Sequence, residues 1–267
     1  MNVGIFYYSA TGNTRLACRY IARNLKNADV KLIDITQGEV PSLDTFGLVG
    51  FATFTDFWGP PYLMQKFVEK LPLQRNKPAF IFTTHGGQMS NLLKVFAKWL
   101  RKKGFVIVGS HGLRVPESFP PAVARGNTSE DAPNEEELRR FDEFISGLSD
   151  KIHVRAKGGR EIPRERVNIS LMANFSPTIS RMSAKKNMGG KFVDEQLCNE
   201  CGICEKACPY KAIILNPKPV FDESKCYGCW ACFNRCPTKA IYTAKLRGKG
   251  HYPKPSAQLQ RKLGTTP

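Results

Sequence analysis

The sequence predicts an α/β domain built on a doubly wound parallel sheet in the strand order 2-1-3-4-5, joined to a small α+β domain. Three observations lead there. Short apolar runs alternate with helix-period segments through residues 1–148, the rhythm of a parallel sheet covered by helices on both faces. Eight of the nine cysteines fall between positions 198 and 236. The stretch between these regions, 149–188, is polar and basic and breaks the rhythm.

Residues 2–8 read as a buried first strand. The loop Ser9-Ala10-Thr11-Gly12-Asn13-Thr14 follows, then a helical pattern from Arg15 to about Lys26. Residues 29–34, 47–53, 78–84 and 105–110 read as the other strands. One intervening helix carries Met64, Phe67, Val68 and Leu71, and the next carries Leu92, Leu93, Phe96, Trp99 and Leu100 before Gly104 ends it. A last helix starts near Asn134, with Glu135, Glu136 and Glu137 in its first turn, where carboxylates suit the helix dipole. A short helix is expected from Ile169 to Met172 in the connector. A small domain at 189–246 and a tail at 247–267 complete the division.

The small domain repeats itself. Cys198, Cys201, Cys204, Cys208, Pro209, Ala212 and Ile213 recur 28 residues later as Cys226, Cys229, Cys232, Cys236, Pro237, Ala240 and Ile241. Each copy is C-x2-C-x2-C-x3-C-P, the run that holds 4Fe-4S clusters in pairs, the fourth cysteine serving the other cluster. The motif therefore groups Cys198, Cys201, Cys204 and Cys236 around one cluster and Cys226, Cys229, Cys232 and Cys208 around a second. Gly202 and Gly228 relax the loops so that backbone N–H groups can point at sulfur. Zinc is the competing reading, but it needs only paired C-x2-C units and gives no reason for the third cysteine or the Cys-Pro. Residues 189–245 resemble bacterial ferredoxins along their whole length. Tyr210, Tyr227, Trp230 and Phe233 read as shields of the clusters from water. Cys18, on the first helix, reads as a buried free thiol.

The loop after the first strand suits a phosphate. The hydroxyls of Ser9, Thr11 and Thr14 can bond it, Gly12 lets the backbone come close, and the helix N-terminus adds N–H donors. Asn13 completes the S/T-x-T-G-x-T pattern, and over about 145 residues the first domain resembles flavodoxins. That resemblance implies bound FMN, with the ring near the loops after the third and fourth strands: Thr53, Phe54, Phe57, Trp58 and Gly59 in one, Thr84, His85, Gly86 and Gly87 in the other. Phe54, Phe57 and Trp58 are candidates to cover a ring face. The short second loop, which ends at Gln88, lacks the tyrosine that often stacks there in flavodoxins, and this leaves one face open to a substrate or to the ferredoxin domain. His85 reads either as a flavin or substrate contact or as a loop histidine bonded to backbone. No Gly-x-Gly-x-x-Gly marks the first crossover, so direct nicotinamide oxidation is not assigned.

The net charge of +17 divides unevenly. Residues 1–148 hold 18 basic and 14 acidic side chains, +4, whereas 149–267 hold 22 and 9, +13. Arg155, Lys157, Arg160, Arg164, Arg166, Arg181, Lys185, Lys186 and Lys191 make the connector a solvated basic surface or a docking patch for an acidic redox protein. No aromatic interleaving or recognition fold supports nucleic acid. No apolar run of about 18 residues suggests a membrane span. The N-terminus carries no signal-like segment, so a cytoplasmic protein is expected.

As a whole the chain resembles fusions of a flavodoxin-like domain with a bacterial-type two-cluster ferredoxin, found in anaerobic microbes. This implies two 4Fe-4S clusters, FMN and an electron relay between them, since clusters move one electron at a time and flavin holds one or two. The alternatives are a flavin-dependent reductase of a quinone or similar small acceptor, and a cluster-based redox or oxygen sensor. Donor, acceptor and oligomeric state are not written in the sequence.

Overall fold

The computed structural model describes residues 1–157, 164, 165, 167 and 181–264. Arg160, Arg166 and the short helix expected at Ile169 to Met172 lie outside the described residues. Five parallel strands, β1 (Asn2–Tyr7), β2 (Asp29–Asp34), β3 (Leu48–Phe54), β4 (Lys77–His85) and β5 (Phe105–Arg114), form one sheet in the order β2-β1-β3-β4-β5. This is the flavodoxin-like arrangement. Its order reverses at β1, so the carboxyl ends of β1 and β3 border the crevice in which such sheets bind ligands.

β1 is apolar on both sides because both sides are covered. Val3, Ile5 and Tyr7 enter one core together with Leu16 and Ile21 of α1 (Asn13–Asn24). Phe6 and Tyr8 enter the other, with Met64 of α2 (Tyr62–Lys70) and Phe96 of α3 (Leu92–Lys102). A short α4 (Pro120–Val123) follows β5. The last helix of this layer, α5 (Glu135–Ala156), opens on a reciprocal cap: Asn134 Oδ1 accepts from the Glu137 N–H at 2.8 Å and Glu137 Oε2 accepts from the Asn134 N–H at 2.8 Å. It runs past position 148, where sequence reading begins the connector. Phe141, Ile145, Leu148 and Ile152 keep one face buried while Asp150 and His153 occupy the outer face, so added polarity did not mean the end of the helix.

The second unit contains α6 (Arg181–Met188), β6 (Lys191–Val193), α7 (Ile203–Lys206), β7 (Ile213–Asn216), β8 (Lys218–Phe221), α8 (Ala231–Arg235) and β9 (Ile241–Thr243). β6 pairs antiparallel with β9, and β7 with β8. The 28-residue repeat is visible in the backbone. Left-handed residues recur as Glu200 and Gly228, Gly202 and Trp230, and Lys211 and Lys239. Each copy thus has the same bends but a glycine at only one of its two loop positions. Asp194 and Asp222 also repeat: each carboxylate accepts backbone N–H bonds from the turn leading to the first cysteine.

The chain then returns to the first unit. Ser256 caps α9 (Ala257–Lys262), its Oγ accepting from the Leu259 N–H at 3.1 Å. Leu259 and Leu263 are both 0% exposed in the core beside β1 and α1. The Arg23 guanidinium donates to the carbonyls of Leu263 and Gly264. The segment expected only as a tail is therefore a strap across the first unit. Among the described residues no helix is long and apolar enough to cross a membrane.

Leu259→Ala removes a fully buried side chain four residues from another, and should cost about 2–5 kcal/mol. Urea unfolding of the iron-free chain, followed by circular dichroism, measures this; a loss below about 0.5 kcal/mol, the level of a surface change, would mean that the strap is not docked.

Candidate functional site

The eight clustered cysteines line two cavities, four to each. Cys198, Cys201, Cys204 and Cys236 surround one, and Cys208, Cys226, Cys229 and Cys232 the other. Each encloses about 330 Å³ counted to its open mouth. Among the described residues no three His, Cys, Asp or Glu side chains converge tightly enough for a single metal ion. The thiols stand around a space instead of a point, which suits a cluster. Backbone amides point at sulfur at equivalent places in the repeat: Ala212 N–H to Cys208 Sγ at 3.3 Å and Ala240 N–H to Cys236 Sγ at 3.2 Å. Gly228 N–H adds a bond to Cys226 Sγ at 3.4 Å. Four thiols with amide donors behind them fit a 4Fe-4S group, whose sulfurs carry negative charge.

Burial pushes the Cys204 and Cys229 thiols up to about 11, and Cys232 well upward. Iron bound at these thiols would offset that cost, because a coordinating thiol is deprotonated outright. Lys191 is the cation that sequence reading assigned to the solvated connector surface. Its side chain is in fact 2% exposed, pairs with Glu223 at 2.8 Å and lines the second cavity. Burial pulls its pKa down, but Glu223 and the neighbouring Cys226 outweigh this and hold it above the usual lysine value. Cys18 is fully buried in the first unit's core, and burial drives its pKa up, as suits an inert thiol.

The crevice at the carboxyl ends of β1, β3 and β4 gathers the other residues singled out in the sequence. Gly12 is left-handed (φ 104°) at the start of α1. Ser9 Oγ accepts from the Gly12 and Arg15 N–H groups, both at 3.2 Å, so this hydroxyl braces its own loop. Thr14 Oγ1 lies 2.9 Å from Thr84 Oγ1, tying the first loop to the end of β4, while Thr11 stays partly exposed. Asn13 is held from both sides: its Nδ2 donates to the Pro116 carbonyl at 3.1 Å, and its Oδ1 accepts from the Tyr252 hydroxyl at 2.9 Å. Among the described residues, the buried oxygens Thr53 Oγ1, Thr55 Oγ1 and Ser90 Oγ and the buried His85 Nδ1 have no hydrogen-bond partner. Four orphaned polar atoms beside a phosphate-type loop fit a polar ligand, such as the edge of a flavin ring.

Phe57 and Trp58 form the two central residues of a tight turn closed by Asp56 and Gly59, both with positive φ (48° and 63°). Aromatic residues seldom hold this conformation, and such strain gathers at functional sites. Trp58 Nε1 donates to Gln88 Oε1 at 3.1 Å, linking the two ring loops. Phe54 packs on Tyr8 at 5.2 Å. Gly87 has open space at the position of a Cβ, whereas a Cβ on Gly86 would strike the Glu117 carboxylate, so Gly86 serves packing.

The two regions meet. Helix α8, which starts between Cys229 and Cys232 and ends before Cys236, lies against the first loop. Arg235 Nε donates to the Ala10 carbonyl at 2.8 Å, and its Nη2 to the Ser9 carbonyl at 3.3 Å. Asn234 donates to the Ser118 carbonyl at 3.0 Å and accepts from the Tyr252 N–H at 2.9 Å. Ala231 and Cys229 pack into the core beside β1 and β3. Aromatic rings continue the wall: Phe57 meets Phe119 at 5.5 Å and Phe119 meets Trp230 at 6.2 Å. Tyr62, Tyr227 and Tyr210 stack in succession at 4.7 and 4.9 Å. The second cavity is thus the one walled by the first unit, while Cys201 of the other cavity is exposed. Phe119, Tyr252 and Arg235 escaped sequence reading because none lies in a motif that announces a contact across the chain.

Residues 197–240 match the family described as a 4Fe-4S dicluster domain. Solved structures similar to the first unit include an archaeal flavodoxin (18% identity, 57% of this chain and 99% of that one, TM-score 0.44) and the Streptococcus pneumoniae TIGR4 flavodoxin (18%, 57% and 99%, 0.44). Rubredoxin:oxygen oxidoreductase from Desulfovibrio gigas is similar at 17% identity over 58% of this chain and 37% of that one, TM-score 0.42. The flavodoxin-like assignment of the fold rests on the strand order itself. No curated protein matches the chain. The chain therefore combines a flavodoxin-like α/β fold with a 4Fe-4S domain.

Arg235→Ala should loosen the first loop. Hydrogen bonds from a charged donor contribute about 1.5–3 kcal/mol, so amide exchange across residues 10–15 should rise roughly tenfold or more, read by mass spectrometry; unchanged exchange would mean that the guanidinium does not hold the loop.

Proposed function

We propose that this protein is an electron-transfer flavoprotein carrying two 4Fe-4S clusters and one FMN, and that it relays single electrons between them. The observation that carries the reading is the shared wall: α8, Tyr8, the β1 loop and neighbouring aromatic side chains pack between the second cysteine cavity and the candidate flavin crevice. Clusters exchange one electron at a time and a flavin one or two, so joining them lets one-electron and two-electron chemistry meet.

The chain's own residues do the rest. Cys198, Cys201, Cys204 and Cys236 would hold one cluster, and Cys208, Cys226, Cys229 and Cys232 the other. Lys191 and the amides of Ala212, Gly228 and Ala240 offset the negative charge on the thiolates. Ser9, Thr11, Gly12, Asn13 and Thr14 would receive the flavin phosphate at the N-terminus of α1, where N–H donors and the helix dipole favour an anion. Thr53, Thr55, His85 and Ser90 would bond the ring, with Phe54, Phe57 and Trp58 beside it and Gly59, Thr84 and Gly87 shaping the loops. Trp230 and Phe119 line the wall, with Trp230 buried against water. The exposed cavity around Cys201 would exchange electrons with a redox protein, and the exposed Arg155, Lys157 and Lys186 favour an acidic one. Eight thiols reserved for iron suit a reducing compartment, and we place the protein in the cytoplasm.

Reconstituted without oxygen, the protein should carry about eight iron, about eight sulfide and one FMN per chain, the content of two cubanes and one flavin. Cys198→Ser and Cys229→Ser should each lower iron toward about four, whereas Cys18→Ala should leave it unchanged. Gly12→Ala should lower flavin content, since an alanine at φ 104° is strained and its Cβ would lie 3.0 Å from Pro255. Full iron loading without any yellow cofactor would contradict the flavin half of the reading, and zinc in place of iron and sulfide the other half.

A further inference from the structure

Tyr8 closes β1, immediately before the loop proposed to hold the flavin phosphate. It is 3% exposed, and among the described residues its buried hydroxyl has no nitrogen or oxygen partner, only a weak contact to the Cys229 thiol. A buried donor with so weak a partner is costly, so its position calls for a reason. The hydroxyl faces Cys229, which packs into the same core from the cysteine domain. Phe54 holds the ring from the side at 5.2 Å. A neutral thiol is a weak acceptor and a thiolate a much stronger one. The weak contact between the hydroxyl and the neutral thiol is therefore one that iron binding at Cys229 would strengthen.

We propose that Tyr8 is a positioning residue for the second cluster, its O–H donating to Cys229 Sγ and setting that cluster's reduction potential. The proposal rests on the two-cluster reading above. Reduction adds one electron and spreads negative charge onto the ligand sulfurs. A donor bonded to one of them favours the reduced state more than the oxidised one and raises the potential. The effect belongs to one cluster alone, because Cys201, which holds the place of Cys229 in the other repeat, is exposed. Tyr8 and Arg235 then brace the wall in opposite senses: the first unit donates to a cluster ligand, and the cluster domain donates to the flavin loop.

Tyr8→Phe removes only the oxygen. In a redox titration of the fully loaded protein followed by electron paramagnetic resonance, one midpoint potential should fall. The expected change is about tenfold in the electron equilibrium, ~59 mV for a one-electron couple. The other potential and the iron and flavin contents should stay where they are. A fully loaded variant with both potentials unmoved, or with both moved together, would overturn the assignment. Should Tyr8→Phe not load, replacing Tyr8 alone by a ring-fluorinated tyrosine, a stronger donor, should move the same potential upward; no movement would overturn the proposal equally. Wild-type protein holding a single cluster would instead end the two-cluster reading, and the assignment with it.

Discussion

The contact of α8 with the loop after β1 is the constraint on which the rest of the molecule depends. That helix has five residues, too few to stand alone, and it is held from both ends. Its flanking cysteines belong to the two cavities, and its Asn234 and Arg235 bond the loops at the carboxyl end of the parallel sheet. A small domain with little apolar core of its own thereby gains one side of the sheet as a wall. The sheet's ligand crevice gains a neighbour bonded directly to its first loop. The C-terminal strap fixes the arrangement by carrying Tyr252 to Asn13 and burying Leu259 and Leu263 beside β1.

This arrangement makes the two halves of the cysteine repeat unequal. Their backbones are alike down to the left-handed residues and the Asp-led turns, so the two sites start from one design. Their surroundings differ. Around Cys208, Cys226, Cys229 and Cys232 stand Lys191, Trp230 and, across the wall, Tyr8 and Tyr62. Around Cys201 there is solvent. Symmetry at the ligands and asymmetry outside them give one protein an outward-facing site and an inward-facing one. Direction can then come from position and from the potentials that position sets.

Much of this was legible in the sequence. The parallel sheet followed from the alternation of apolar runs and helical periods, and its strand order from the fit of five such strands to the flavodoxin-like arrangement. The two cysteine sets followed from spacing, because a cubane needs three close thiols and a fourth from elsewhere. What was not legible depends on the far side of each contact. Lys191 reads as one more cation in a basic stretch, and only the fold shows that it faces thiols. Tyr8 reads as the end of a buried strand. Phe57 and Trp58 read as apolar loop residues, since no motif marks a left-handed aromatic pair. Ser256, Leu259 and Leu263 did carry a signal, a cap with two leucines one turn apart, but so short a helix gains its stability from the surface it docks on.

The central claim is that charge crosses the wall within one molecule. It is tested most directly by reducing the loaded protein with a one-electron donor in a stopped-flow instrument and following bleaching of the clusters and of the flavin at several protein concentrations. The account predicts that the flavin phase follows the cluster phase with a first-order rate constant independent of protein concentration. A flavin phase that accelerates in proportion to protein concentration would mean that electrons pass between molecules, and would contradict it.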